Sequence, residues 1–335
     1  MAPSKSTLLP LLGALPYASA WGSLGHTTVA YIAQNFVCDK TAKFAQSILN
    51  DSSTAYLANV ATWADSYRYT AEGEFSALLH YIDALDNPPE SCNVVYERDC
   101  PEEGCIVSAI ANYSSRAVQK KLGIVEQQKA LKWVIHFLGD IHQPLHVENL
   151  AIGGNTINVT FAGVKTNLHA IWDTNIPQKA RGNFSQAASL AWATNLTTEI
   201  KHGKYKKESK VWLKGMNVKD AVDSAMVWAN DANQYVCSTV LPNGTDVLFG
   251  QELSGAYYET AIPVVYKQIA KAGYRLAAWL DAIVEAAEKG GHGPGKGSKY
   301  DKRGDFELEP WMQASREARM AFGGDCGCSA EEHTH

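Results

Sequence analysis

The stretch Trp133-Val134-Ile135-His136-Phe137-Leu138-Gly139-Asp140-Ile141-His142-Gln143-Pro144-Leu145-His146 decides how this chain is read. Leu131, Val134, Leu138 and Ile141 recur at helical spacing, which predicts an amphipathic helix that ends before Pro144. His136 and Asp140 stand four residues apart, so on that helix they share one face and can grip one ion. Pro144 stops the helix and lets the chain turn, which carries His146 back towards the same face. The pairing recurs at His169-Ala170-Ile171-Trp172-Asp173. Imidazole with carboxylate suits Zn²⁺, with Zn–N distances of about 2.0–2.1 Å. Taken singly, a His-x3-Asp is more often a hydrogen-bonded pair on a helix surface. Here there are two, with a third histidine at a helix break. They sit among Trp133, Phe137, Leu138, Ile171 and Trp172, where uncompensated polar groups are costly. Metal binding is the favoured reading.

Outward from that stretch, most of residues 22–290 is predicted helical. Val29, Ile32, Ala33 and Phe36 repeat at helical spacing, and further helices are expected near 41–49, 54–66, 106–120, 185–200, 219–237, 252–269 and 271–289. Gly153-Gly154-Asn155 opens an alternating run through Ile157, Val159 and Phe161, then Gly163 and a second short run, which predicts a β-hairpin. The fold class is all-α: a single mainly helical domain over 21–290 with a small β-hairpin. From Gly290 the composition turns to glycine, and 291–335 is expected to be a mostly disordered extension with one short helix around Trp311 to Phe322. Cys326-Gly327-Cys328 with His333 and His335 in that extension could hold a metal, but a solvated tail is the favoured reading.

The 335 residues are 46% hydrophobic and 19% charged, enough for a sizeable core and too apolar for wholesale disorder. Residues 1–20 read as a secretory signal: Lys5 is the basic start, Leu8 to Leu15 the apolar run, and Ala18-Ser19-Ala20 the cleavage site. Cleavage there makes Trp21 the new N-terminus. The chain is then expected to be secreted, and no membrane or protein partner is predicted. The formal charge of −5 argues against a basic groove for nucleic acid, although metal ions can supply the positive field that phosphate needs. Six glycosylation acceptors, Asn50, Asn112, Asn158, Asn183, Asn195 and Asn243, agree with export, with only some expected to carry sugar. Seven cysteines in an exported chain suggest disulfides. Cys100 and Cys105 flank a turn and can close a short loop, and Cys92 and Cys237 can staple distant segments; the alternative is free buried thiols. Cys38, Cys326 and Cys328 are left unpaired by this reading.

With these features together, the chain resembles the zinc-dependent single-strand-specific nucleases of fungi and plants, the type I nucleases. The matching motifs are Trp21-Gly22-x-x-Gly25-His26 after the signal, Trp63-Ala64-Asp65, His80-Tyr81-Ile82-Asp83, the His136 to His146 segment, Gly153-Gly154-Asn155 and His169-x3-Asp173. The resemblance implies three zinc ions in a mainly helical fold shared with zinc phospholipases C. Asp65, His80, His136 and Asp140 would hold one. Asp140 would bridge to a second, ligated also by His26 and by the α-amino nitrogen and carbonyl oxygen of Trp21. His146, His169 and Asp173 would hold the third. An α-amino group titrates near ~7.7–8.0, so freeing its lone pair costs far less than for lysine, and signal cleavage creates a ligand. His142, two residues from Asp140, points off the shared face and is expected to be structural, or to bond a ligand carboxylate, rather than to bind a metal.

On this reading the chain is expected to be a phosphodiesterase: paired zincs on these residues would activate water towards phosphorus, and the third would stabilise charge on the departing 3′-oxygen, so that products would carry a 5′-phosphate. Asp65 and Asp140 are catalytic as ligands, and Arg68 would neutralise charge on the phosphate. Tyr69 and Tyr81 are candidates to stack on bases, Asp83 to accept from a base N–H, and Asn155 to add a hydrogen bond. Stacking contributes about 1–3 kcal/mol per base and needs an unpaired base. Single-stranded DNA and RNA, and 3′-nucleotides, are therefore the expected substrates. The competing readings are a secreted zinc phospholipase C and a non-catalytic zinc-binding protein.

Overall fold

The computed structural model describes residues 21–290 and 306–323. The helices are α1 (Gly22–Gln34), α2 (Asp39–Leu49), α3 (Trp63–Tyr67), α4 (Tyr96–Asp99), α5 (Ile106–Ala117), α6 (Ile124–Asp140) and α7 (Leu168–Ala170). They continue as α8 (Ile176–Arg181), α9 (Gln186–Lys201), α10 (Ser209–Trp212), α11 (Ala221–Tyr235), α12 (Ala256–Glu288) and α13 (Pro310–Phe322). α1 lies between α9 and α12, and α6 packs on α5. Trp21, Trp133, Trp172, Trp192, Trp228 and Trp279 are among the largest fully buried side chains, so the core is built largely on indoles. The all-α class with one small hairpin is what the structure has. No described helix is long and apolar enough to cross a membrane.

Two helical expectations are corrected. The predicted helix over 54–66 is instead a turn, a 3₁₀ segment at Ala58–Val60 and the short α3. Polar side chains there compete with the helix: Asn59 Nδ2 donates to Asp51 (2.8 Å), and Ser53 Oγ accepts from the Ala55 amide (3.2 Å). The two helices expected over 252–289 are one, α12, of 33 residues with Pro263 inside it. Gly273 in its middle is a contact, not a break. A Cβ there would lie 2.5 Å from the Ile32 Cβ and 2.9 Å from the Val29 carbonyl, so its absence sets how closely α1 and α12 approach.

β1 (Asn158–Phe161) pairs antiparallel with β2 (Val164–Asn167), Asn158 opposite Asn167 and Phe161 opposite Val164. Ala162 and Gly163 turn the corner with positive φ, and Glu252 accepts from both their amides at 2.9 Å. β2 leads directly into α7, where the Asn167 side chain caps the helix by accepting from the Ala170 amide (2.8 Å). The hairpin thereby delivers His169. Disulfides join Cys92 to Cys237 and Cys100 to Cys105, and Cys38 is free and exposed. Cys326, Cys328 and residues 1–20 lie outside the described residues. All six glycosylation acceptors are exposed. The helix expected near 311–322 is present as α13 and rests on the body through buried Met312 and Arg319.

Candidate metal centre

α6 presents His136 and Asp140 on one face, as their spacing requires, and three other elements converge on that face. α3 brings Asp65, the end of a 3₁₀ segment at Glu74–His80 brings His80, and α1 brings His26. Asp140 is the hinge of the group. Its Oδ2 lies 2.9 Å from His80 Nδ1 and 3.2 Å from His136 Nε2, while its Oδ1 lies 3.0 Å from His26 Nε2. One carboxylate thus faces two sets of imidazoles. Asp65 Oδ1 approaches His136 Nε2 at 3.3 Å and His80 Nδ1 at 3.9 Å. His26 stacks on the His136 ring with centroids 3.9 Å apart. That stack needs Gly139: a Cβ there would sit 2.6 Å from His26 Nδ1.

A second group forms at the helix break. His146, on a 3₁₀ turn after Pro144, meets His169 and Asp173, with Asp173 3.8 Å from His146 Nε2 and 3.1 Å from His169 Nε2. Asp173 lies on a π-helical turn, a widened turn that recurs at functional sites.

Second partners fix which way the rings face. His136 Nδ1 donates to the Ala61 carbonyl (2.7 Å), His146 Nδ1 to the His80 carbonyl (2.8 Å) and His169 Nδ1 to the Gly153 carbonyl (2.7 Å). Each leaves its Nε2 lone pair pointing into the group, the arrangement found for metal-binding histidines. His146 Nε2, His169 Nε2, Asp140 Oδ1 and Asp173 Oδ2 are buried with no hydrogen-bond partner among the described residues. Orphaned polar atoms at such depth are costly, and three sets of ligand atoms lie within 4.8 Å of one another: His26, Asp65 and His136; His80, His136 and Asp140; and His146, His169 and Asp173. The donor set and its unmet valences fit divalent cations.

In the metal-free protein the charges sort themselves. Burial raises the Asp140 carboxyl, but His136 and His26 beside it outweigh that and hold it well below the usual carboxylate range. Burial lowers His136, but Asp140 and Asp65 hold it well above the usual imidazole range. Burial pushes His80 and His146 down to about 4.

Around the centre, Arg68 is buried with its guanidinium donating to the Tyr69 hydroxyl (2.7 Å), and the Tyr69 ring is exposed. Asp83 follows His80 on an extended segment. Burial pushes its carboxyl up to about 6 against the pull of Arg319. Tyr81 is buried beneath Arg319, and Asn155 donates to the Ile152 carbonyl (2.9 Å).

The S1/P1 Nuclease family model matches residues 21–285. The chain belongs to the S1/P1 nuclease family. Nuclease S1 of Aspergillus oryzae is 56% identical over 263 residues, covering 78% of this chain and 91% of that protein. Nuclease P1 of Penicillium citrinum is 48% identical over 78% of this chain and 97% of its own length. Endonuclease 2 of Arabidopsis thaliana is 34% identical over 82% and 93%. Membership of the S1/P1 family makes this chain a phosphodiester hydrolase acting on nucleic acid, and the phospholipase and non-catalytic readings give way to it.

Of the nine candidate ligands, the structure gathers His26, Asp65, His80, His136 and Asp140 at one place and His146, His169 and Asp173 at another. Trp21 is buried at the head of α1, its carbonyl accepting from the Gly25 and His26 amides at 3.1 and 3.2 Å. Of the two roles expected for His142, the hydrogen bonds among the described residues show the structural one. Its Nδ1 donates to the Leu138 carbonyl and its Nε2 accepts from Arg275, which also pairs with Asp231. The residue that does hold a candidate-ligand carboxylate is Gln143, whose amide donates to Asp173 Oδ1 at 2.6 Å. Sequence reading missed Gln143; its signal was the position before Pro144, where its Oε1 also accepts from the Leu145 amide.

Proposed function

We propose that the protein is a secreted, zinc-dependent endonuclease that cleaves single-stranded DNA and RNA, breaks the bond between phosphorus and the 3′-oxygen to leave a 5′-phosphate, and also removes phosphate from 3′-nucleotides. The single observation that carries this is the division of the Asp140 carboxylate between two sets of imidazoles, with a third His/Asp set nearby, all at zero to 1% exposure. That layout suits closely spaced cations sharing one carboxylate, the arrangement of metal phosphodiesterases. His26, Asp65, His80, His136 and Asp140 would hold one pair of ions, completed by the amine and carbonyl of a newly exposed Trp21; His146, His169 and Asp173 would hold a third. Bound there, zinc supplies Lewis acidity towards water and towards phosphate oxygen.

The remaining roles belong to the chain itself. Arg68, held by Tyr69, offers a planar set of donors for phosphate oxygens. Tyr69 presents an exposed ring for stacking, with the Arg68 guanidinium 4.9 Å from its centroid, and Tyr81, Asp83 and Asn155 would offer a second place for a base. Asp83 is suited to accept from a base N–H. Stacking on Tyr69 or Tyr81 demands a base face that a duplex hides, which supports single-strand preference.

The test is metal analysis of the secreted protein, N-terminal sequencing, and cleavage of denatured against duplex DNA before and after chelation. Expected are an N-terminus at Trp21, bound zinc, at least tenfold preference for denatured DNA (about 1.4 kcal/mol), and loss of cleavage on chelation that zinc restores. Undiminished cleavage by the stripped protein rejects the assignment.

A further inference from the structure

Arg319 sits where the proposed base contacts converge. Its Cζ lies 3.8 Å from the centroid of the Tyr81 ring, its Nε 3.6 Å from Asp83 Oδ2, and its Nη1 3.4 Å from the Ile152 carbonyl that Asn155 also bonds. A guanidinium is flat, delocalised and rimmed with N–H donors. It therefore offers Tyr81 a stacking face and Asp83 a positive donor edge, the two things that a nucleobase with an amino or imino edge offers.

We infer that α13 is an internal competitor for the base subsite, with Arg319 standing in for a nucleobase between Tyr81 and Asp83. The inference rests on the base-binding roles proposed above for those residues. α13 lies beyond the 21–285 segment that matches the family, so the device belongs to this chain's own extension. The helix is held at few points, Arg316 donating to the Arg98 carbonyl and Arg319 to the Ile152 carbonyl. Of its thirteen residues only Met312 and Arg319 are buried, and a cavity of about 620 Å³ lined by Asp86, Glu148, Trp311 and Ser315 lies along it. The mimicry is also incomplete. Arg319 Nε and Asp83 Oδ1 are buried with no hydrogen-bond partner among the described residues, so a base that satisfies both Asp83 oxygens can displace the helix. Substrate binding then has to lift α13, which raises KM and leaves the chemistry unchanged.

The experiment uses the full, zinc-loaded chain and its Arg319→Ala and Arg319→Lys variants, each assayed on a 3′-mononucleotide and on denatured DNA. Arg319→Ala is expected to lower KM for the mononucleotide about tenfold with kcat unchanged. Arg319→Lys keeps the charge without the plane and is expected to fall between. In the unmodified chain, 5′-AMP is expected to speed amide exchange over residues 310–322. Cleavage of denatured DNA with one KM across the three proteins, and exchange unchanged or slowed by 5′-AMP, overturns the role of α13 alone. Absence of cleavage in every protein overturns the proposed function and the inference with it.

Discussion

The candidate metal centre and the proposed base pocket lie a few residues apart on the segment His80 to Asp83, yet they are built in opposite ways. Every side chain of the centre is essentially buried, and His136, His146 and His169 are each oriented by a backbone carbonyl. The pocket is walled by an extended segment, by the Cys100–Cys105 loop and by a helix that touches it through few buried groups. In the centre, those three rings answer to main-chain atoms of core elements. The pocket's cover reaches main-chain atoms only through the ends of long side chains, Arg316 to the Arg98 carbonyl and Arg319 to the Ile152 carbonyl. Chemistry that needs sub-ångström placement is assigned to the first, and substrate exchange to the second.

Removing a ligand is the harshest test of that contrast. Replacing His136 with Ala leaves Asp65 and Asp140 buried without the imidazole that both face. Loss of bound metal and a fall in phosphodiester cleavage of at least about 1,000-fold (~4 kcal/mol) are expected, read by metal analysis and a denatured-DNA assay. Retained cleavage would show that the centre is not the seat of the reaction. Gln143→Ala acts one step out, by freeing Asp173 Oδ1. Changes to the residues that orient ligands typically cost about 10–100-fold in affinity or activity, and metal titration of the variant should show a loss in that range.

The contrast also explains what could be read from the chain alone. His136 with Asp140 and His169 with Asp173 were legible because i, i+4 spacing makes neighbours of residues on one turn of helix, and both pairs are in contact at 3.2 and 3.1 Å. Cys92 with Cys237 and Cys100 with Cys105 were legible from compartment and turn composition, and both disulfides are present. Arg319 was not legible, since nothing local to α13 encodes contact with Tyr81. The Arg275–His142 pair was hidden for the same reason: it joins α12 to the end of α6. Gly273 was hidden in the same way: its missing Cβ is the room that α1 needs, a contact between segments far apart in the chain.

Acid and base should pull the stripped centre apart in different directions. His80 and His146 are lowered to about 4 by burial, against about 6.5 in an unfolded chain. Between those values the unfolded state binds more protons, so stability falls as pH drops from about 6.5 towards 4. His136 is raised by Asp140 and Asp65, so its contribution is complete below about 6.5 and is lost as pH climbs through its raised value. For these groups the metal-free protein is expected to be most stable near pH 6–7, with a slope on the acid side of up to about 1.4 kcal/mol per pH unit for each of His80 and His146. Thermal unfolding of chelated protein across pH measures it. Metal holds the imidazoles neutral, so the loaded protein should show a flatter curve over the same range; identical curves with and without metal would separate these histidines from metal binding.

Asp83→Asn should have the smallest effect and be the most informative about the pocket. The change removes a charged acceptor for a base N–H, costing about 1–1.5 kcal/mol, or roughly five- to tenfold in KM. It also removes the anion facing Arg319, which loosens α13 and favours substrate. In the unmodified background the two consequences oppose each other, and the net change in KM should be small. In an Arg319→Ala background only the first survives, and the full five- to tenfold rise should appear. At the metal centre the same cycle should be additive, because His136 and Arg319 share no partner among the described residues and distant sites rarely couple. Additivity at Asp83 would mean that α13 and a base do not meet there, and that the cover over Tyr81 is packing without competition.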